Sequence, residues 1–429
     1  MDRSPLLHYP ATFMKDAEGS IDCAAAARDC LKETEALIHD HGPRLAGTAA
    51  CEQVAQRLSE RLRGFADSVR VDTITIHPAS FYAYTKILPV SYAIGMVALL
   101  PVGLFRLLPV AGLLTGIVMM ACQFGLYRHF GDFLFPARAG KNIEAVIEPV
   151  EKARRELILS GHHDSAPLAR IFSGPFSKLY VVAILAPYLF FLGELAVLLF
   201  RLFEAPARLT AAWPLPFLLV GLPFVVGYFA LVAMRRGSPG AGDNLISSVL
   251  VSRVAQEVAV RKESLLRTTR LRIVSFDAEE AGLRGAAAYF GRNVSELRRL
   301  PCTHLNFDSL YSLRDLQVLT SDINGTVPLS GRVVECIVDI ARACGYRARP
   351  FGLIFGAGGT DAAESARRDI PATTIISMPT AIVRDGLVYH TPRDTVEHIE
   401  PGVVEACIKI SLGLLERLEA GIETTDPVL

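Results

Sequence analysis

Residues 160–170 read SGHHDSAPLAR, so two histidines and an aspartate stand directly after the apolar run ELILS. Acidic residues close two other apolar runs in the same way: LRIVSFDAEE ends on Glu279 and Glu280, and THLNFDSL carries Asp308. Asp243 in GAGDN and His390 in YHTP add a carboxylate and a second imidazole. Together His162, Asp243, Glu280, Asp308 and His390 offer two nitrogen and three carboxylate donors, a mixed set suited to Zn2+, with Mn2+ or Co2+ as substitutes. Five donors exceed what one tetrahedral zinc requires, and a carboxylate bridging two ions about 3.5–4 Å apart would employ them all. Metal ions so placed lower the pKa of a bound water and polarise a scissile carbonyl. Taken singly, these residues have plainer readings. His390 could cap a turn, and Asp243 with Asn244 could cap a following helix, since Asp is favoured there.

The elements that must position these donors alternate in type. Residues 24–39 and 48–64 are helical in pattern, with HGPRLAGT as a Gly/Pro turn between them. VRVDTITIH, NIEAVIEPV, ELILSGHHD, LRIVSFDAEE, THLNFDSL, LQVLTSD and PATTIIS read as strands. Helices are expected from about Asp243 to Val260, from Gly285 to Phe290, and over 401–419. This alternation predicts an α/β fold, a mostly parallel (mixed) sheet with helices on both faces. In such sheets ligands bind beyond the carboxyl ends of the strands, where HHD, DAEE and FDS fall.

Composition adds a second theme. The chain has 429 residues, 51% of them apolar, above the roughly 45–50% usual for soluble domains. The excess lies in four runs, 87–105, 107–127, 179–203 and 213–234, each close to the roughly 20 apolar residues that span a bilayer as a helix. They form two pairs, so two inserted transmembrane hairpins are expected at 86–128 and 178–235. Residues 1–85, 136–172 and 237–429 are then expected to make one hydrolytic domain. Long buried helices of a soluble α/β domain are the alternative. Glu194, inside the third run, would face the bundle interior or stay neutral.

Lys86, Arg128, Arg138, Lys141, Arg170, Lys178, Arg235 and Arg236 flank the runs on the side of the polar domain, whereas the tips carry only Arg106, Arg201 and Arg208. The positive-inside rule thus predicts an integral membrane protein with four transmembrane helices, its polar domain and both termini in the cytoplasm. The start, MDRSPLLHYPATF, has no basic segment leading into an apolar core, so no signal peptide is read. Eight scattered cysteines without a CxxC pair fit free thiols in a reducing compartment. Lys plus Arg and Asp plus Glu each number 44, and this balance gives no reason to expect a nucleic-acid partner.

The motifs GHHDS (161–165), GAGDN (240–244), FDAEEAGLRG (276–285), NFD (306–308) and YHTPRDT (389–395) resemble, in order, those of the M28 zinc aminopeptidases, which include bacterial leucyl-type aminopeptidases and glutamate carboxypeptidase relatives. HGPRLAGT looks like that family's N-terminal helix-turn signature. The resemblance covers the chain outside the two apolar pairs and implies a zinc-exopeptidase fold with two zinc ions. It makes Asp243 the bridging carboxylate, Glu280 and His390 the remaining ligands of one metal, and His162 and Asp308 those of the other. It also makes Glu279 the general base and Asp164 the group that orients His162. His163 would occupy the variable middle of HxD, a neighbour rather than a ligand. Asp361 in GGTDAAES sits where the family often has a Ser-Asp-His stretch near the substrate, although Ala362 replaces that histidine. Asp394 is read as a turn residue or a support behind the ligands. His304 and His398 lack motif support and are read as structural.

Asp164 and Asp243 are separated by 243 − 164 = 79 positions, and the second apolar pair lies between them. The first pair interrupts what should be a strand hairpin between TITIH and NIEAV. Both insertions thus leave from loops, the second at the rim of the expected active site. A peptide or membrane-delivered amide substrate, drawn from the lipid bilayer, is the expected partner; oligomeric state is left open. Other readings are amidohydrolysis or a cyclising aminoacyl transfer on the same fold, a noncatalytic membrane receptor or scaffold, and a transporter.

Overall fold

The computed structural model describes residues 21–98, 107–169, 180–203, 214–230, 232–379 and 388–421. Two helices open the chain, α1 (Cys23–His41) and α2 (Ala49–Arg63). Asp22 caps α1, its carboxylate accepting from Ala25 N at 2.8 Å, and Gly42 ends it at a positive φ of 68° that a glycine adopts without strain. Then follow β1 (Ser68–Ile76), α3 (Pro78–Phe81), α4 (Tyr84–Ala98), α5 (Leu107–Met120), β2 (Arg138–Ile147), β3 (Arg155–His162) and β4 (Pro167–Ala169). After these come α6 (Tyr180–Leu202), α7 (Pro214–Ala230), β5 (Val232–Gly237), α8 (Ile246–Val260), α9 (Lys262–Leu265), β6 (Thr269–Phe276), α10 (Arg284–Leu297) and β7 (Cys302–Leu310). The chain continues through β8 (Gln317–Asp322), β9 (Val327–Pro328), α11 (Gly331–Ala343), β10 (Arg349–Gly352), α12 (Ala362–Ala366), β11 (Ala372–Ser377) and α13 (Pro401–Glu419).

The main sheet runs β1-β2-β6-β3-β7-β11-β8-β10, with β9 paired to β8. Its centre, β6-β3-β7-β11, is parallel, as is β8 with β10. The pairs β1-β2, β2-β6, β8-β11 and β8-β9 are antiparallel, so the sheet is mixed in equal parts and not mostly parallel. The physical cause at one edge is that β1 and β2 are the arms of a single hairpin, in register from Ser68 opposite Val146 to Ile76 opposite Arg138. Side chains along the central strands alternate between two cores. Leu157, Leu159, Leu271, Ile273, Leu305 and Phe307 face α1, α2, α8, α11 and α13, while Ile158, Val274 and Phe276 pack with Tyr289 and Phe290 of α10. Helices therefore cover both faces, as expected.

Helices α3 to α5 lie within the β1–β2 hairpin, and α6 and α7 between β3 and β6, the insertion points expected from sequence. Helices α4 to α7 pack together through Tyr84, Leu88, Tyr92, Leu113, Phe191 and Tyr228. Leu108, Leu114, Leu189, Phe200, Val220 and Val226 of the same helices are exposed. Among the described residues one helical stretch, Leu107–Gly125, is long and apolar enough to cross a membrane, and Leu219–Tyr228 is a shorter apolar segment.

Three expectations need correction. The run 213–234 is not one helix: α7 stops at Ala230, and 232–237 form β5, which pairs antiparallel with β4, because the chain must be led back to the sheet beside the strand it left. Asp243 and Asn244 do not begin the next helix, since their φ/ψ values of −124°/84° and −148°/28° are non-helical and α8 starts at Ile246. Helix α11 and strand β10 complete the far end of the sheet where no element was read. Arg106, Arg170, Lys178, Arg208, the residues before 21 and those after 421 lie outside the described residues.

Candidate metal centre

Strand β3 delivers His162 as its last residue, and its imidazole is completely buried. Its Nδ1 lies 3.2 Å from the Asp164 carboxylate, leaving Nε2 to face 3.5 Å toward Asp243 Oδ1, 3.6 Å toward Glu279 Oε2 and 3.9 Å toward Asp308 Oδ2. The other Asp243 oxygen, Oδ2, is 3.1 Å from His390 Nε2, and His390 Nε2 is 3.2 Å from Glu280 Oε2. One carboxylate thus divides its two oxygens between two donor groups, His162 with Asp308 and His390 with Glu280. Donor atoms of His162, Asp243 and Glu280 cluster within 4.8 Å of one another, as do those of His162, Glu279 and Asp308. His162 Nε2 and Glu280 Oε1 are buried with no hydrogen-bond partner, a costly state for polar atoms. Metal ions would satisfy them, and the residues present fit such cations.

Electrostatics support the same reading. Burial pushes Glu280 up to about 8 against the opposing pull of His390, and burial likewise raises Glu279 well above the ordinary carboxylate range and Asp308 to about 7. Burial disfavours charge on His390, yet Glu280 and Asp243 outweigh it and raise that imidazole to about 10. Burial also opposes ionisation of Asp243, but the two imidazoles hold it low. Without added cations, the site keeps protons on groups whose ligand forms need to lose them.

The supports are main-chain contacts. Asp164 accepts Glu279 N on Oδ1 and Glu280 N on Oδ2, both at 3.2 Å, so one carboxylate orients His162 and presents both glutamates. Asp394 accepts Gly242 N at 2.8 Å and Asp243 N at 3.3 Å, which makes it a clamp for the Asp243 turn. The Asn244 amide donates to Phe307 O at 2.8 Å and fastens that turn to β7, one residue before Asp308. Asp361 is completely buried, with neither carboxylate oxygen hydrogen bonded, and it lies in the field of His162 and Asp308. His304 is held between Ser160 Oγ at 2.6 Å and Ser365 Oγ at 2.7 Å, and His398 is exposed.

Two contributors escaped sequence reasoning. The completely buried Arg44 of HGPRLAGT donates to the carbonyls of His163, Pro239 and Gly240 at 2.8 Å and of Gly42 at 3.2 Å, joining three loops behind the centre. The signal available was an arginine inside a Gly/Pro turn. Gly242 lacks a side chain because a Cβ there would come within 2.2 Å of the Tyr311 ring. Segments flanking the inserted helices also reach the site: Tyr82, between α3 and α4, donates through Oη to Glu280 O at 2.9 Å, and His129, beyond α5, has its Nε2 3.1 Å from Gly282 O. Ala169 N of β4 donates to His390 O at 3.0 Å.

Residues 226–415 match the model of peptidase family M28. Over that stretch the chain is similar to peptidase family M28. In overall fold it is similar to a Zn-dependent exopeptidase from Parabacteroides distasonis, with 14% identity, TM-score 0.54, and 91% of this chain and 97% of that one covered. BSAP, a zinc aminopeptidase from Bacillus subtilis, gives 15% identity and TM-score 0.54 over 92% of this chain and 94% of its own. Glutaminyl cyclase from Bacteroides thetaiotaomicron, bound to N-acetylhistamine, gives 12% and 0.53 over 91% and 97%. At such identities the likeness is one of fold. No curated protein sequence matches the chain.

Proposed function

We propose that this chain is a membrane-bound exopeptidase of the M28 aminopeptidase type, hydrolysing peptide bonds with water activated at a di-zinc centre. The chain is a zinc-dependent hydrolase. The observation that carries the finer reading is the division of the Asp243 oxygens between His162 and His390, as a bridging carboxylate requires. His162 and Asp308 would hold one ion, and Glu280 and His390 the other. Zinc bound there would supply an acidified water and polarise the scissile carbonyl. Glu279, beside His162 and not needed as a ligand, would take the water's proton and return it to the leaving amine. Asp164 holds the tautomer of His162. Asp361, in the field of His162 and Asp308, would act on the carboxylate cluster through its charge.

The membrane reading rests on Leu107–Gly125 and on the apolar outer faces of α4 to α7, which a soluble bundle would make polar. We read α4/α5 and α6/α7 as two hairpins inserted in a hydrolytic domain made of 1–85, 136–172 and 237–429, cytoplasmic by the positive-inside rule. Tyr82, His129 and Ala169, at the roots of the two insertions, contact the loops of the proposed metal ligands, and this supports a reading in which substrates are delivered from the membrane.

A second reading, cyclising amide chemistry like that of the glutaminyl cyclases, is favoured by the tighter spacing of Asp243, Glu280 and His390 relative to Asp308, 3.9 Å from His162, as suits one ion rather than two. Metal analysis of the detergent-purified chain, with a peptide-library digest by wild type and Glu279→Gln, separates the readings. Two zinc ions and terminal cleavage lost in the variant support the exopeptidase. Turnover intact in Glu279→Gln refutes the mechanism, and one ion with ring-closed N-terminal products supports the cyclase.

A further inference from the structure

Behind His162 lies a second group of ligand-type side chains that the proposed reaction does not use. Cys51 of α2, His163 and Asp277 each place a donor atom within 4.8 Å of the other two. Cys51 and His163 are completely buried and Asp277 is 1% exposed. His163 Nδ1 is taken up by Ser275 Oγ at 2.8 Å, while its Nε2 is buried without a partner. Cys51 Sγ donates to Asp277 Oδ1 at 3.4 Å, a weak contact, and Asp277 Oδ2 accepts Lys141 N at 2.9 Å. We infer that Cys51, His163 and Asp277 form a structural metal site, separate from the proposed catalytic pair, that takes a zinc-like dication.

The donor chemistry selects the ion. Thiolate, imidazole and carboxylate are the three ligand types of protein zinc, and three protein donors leave one position for a water or the second Asp277 oxygen. Binding expels the Cys51 proton, so thiolate and carboxylate together neutralise the dication and the occupied site carries no net charge in a dry interior. Burial, together with the Asp277 and Asp164 carboxylates, keeps that thiol protonated, and a coordinated cation reverses the preference. The ion would pin α2 to the ends of β3 and β6, directly behind His162, the next residue in the chain, and Glu279, two residues beyond Asp277.

None of the proposed catalytic ligands is a cysteine, so a sulfur signature is diagnostic. The full chain in detergent, stripped with chelator and titrated with Co2+, is expected to show a near-ultraviolet thiolate-to-cobalt charge-transfer band. That band should vanish in Cys51→Ser and His163→Gln and persist in His390→Ala, which damages only the proposed catalytic centre. Zinc X-ray absorption on the wild type needs no variant and should report a sulfur neighbour at about 2.3 Å. Absence of both sulfur signatures in the wild type, or a cobalt band that survives in Cys51→Ser, overturns the inference whatever the catalytic centre does.

Discussion

Asp164→Asn tests how the centre is held. The native carboxylate meets three groups: Glu279 N and Glu280 N at 3.2 Å, and His162 Nδ1 at 3.2 Å. Asparagine keeps one oxygen and turns the other position into an NH2 donor. That donor then faces either a backbone N–H, leaving it unpaired, or the imidazole edge that must donate for Nε2 to bind metal. Loss of one charge-assisted hydrogen bond costs about 1.5–3 kcal/mol. Loss of a group that orients a metal ligand weakens metal binding about 10–100-fold, or roughly 1.4–2.8 kcal/mol, in agreement with that figure. Competition with a chromophoric zinc chelator reads the affinity, circular dichroism checks that the chain is folded, and kcat/KM on a peptide substrate should fall at subsaturating zinc. Zinc affinity within about twofold of wild type would refute the reasoning, because a supporting carboxylate of this kind should matter by at least about tenfold.

Arg44→Lys should destabilise the chain by about 3–5 kcal/mol, since a single ammonium cannot serve all four carbonyls and each buried group left unpaired costs about 1–3 kcal/mol; chemical denaturation measures it. Gly285→Ala places a Cβ 2.0 Å from Asp277 O, so α10 must shift away from the Glu279–Glu280 loop at a cost of about 3 kcal/mol or more, read as a lower melting temperature with reduced zinc content. His304, buried between two serines, is depressed by burial to about 3, whereas the unfolded residue titrates near 6.5. The unfolded chain therefore binds this proton first as pH falls, so the stability is fully present above about pH 6.5 and is lost toward pH 3 by up to about 1.4 kcal/mol per pH unit. Melting curves of His304→Gln should decline less steeply than wild type between those limits.

Much of the frame was legible because local patterns carried it. The residue types and order of HHD, DAEE, NFD and YHTP announced a metal hydrolase before any contact was known, and α13 follows its expected span of 401–419. Helix α11 went unread even though Val333, Val334, Ile337, Ile340 and Ala341 bury one helical face after the Ser330 cap. Strand β10 has three exposed residues and then a half-buried glycine, a pattern with no inward face to recognise. The Asp243 turn was assigned to a helix because a capping aspartate and a bridging one look alike in sequence.

The sequence by itself determined which chemistry was available, since donor types, their places at strand ends and the apolar runs are properties of short segments. Only the tertiary structure brought those donors together. Glu280 and His390, 110 positions apart, meet across Asp243 because three separate loops converge at the carboxyl end of the parallel strands. The same convergence made a buried cluster of Cys51, His163 and Asp277 from residues whose separation hides them in the sequence. Burial and the direction of a side chain belong to the packed sheet, so no local pattern could have assigned them.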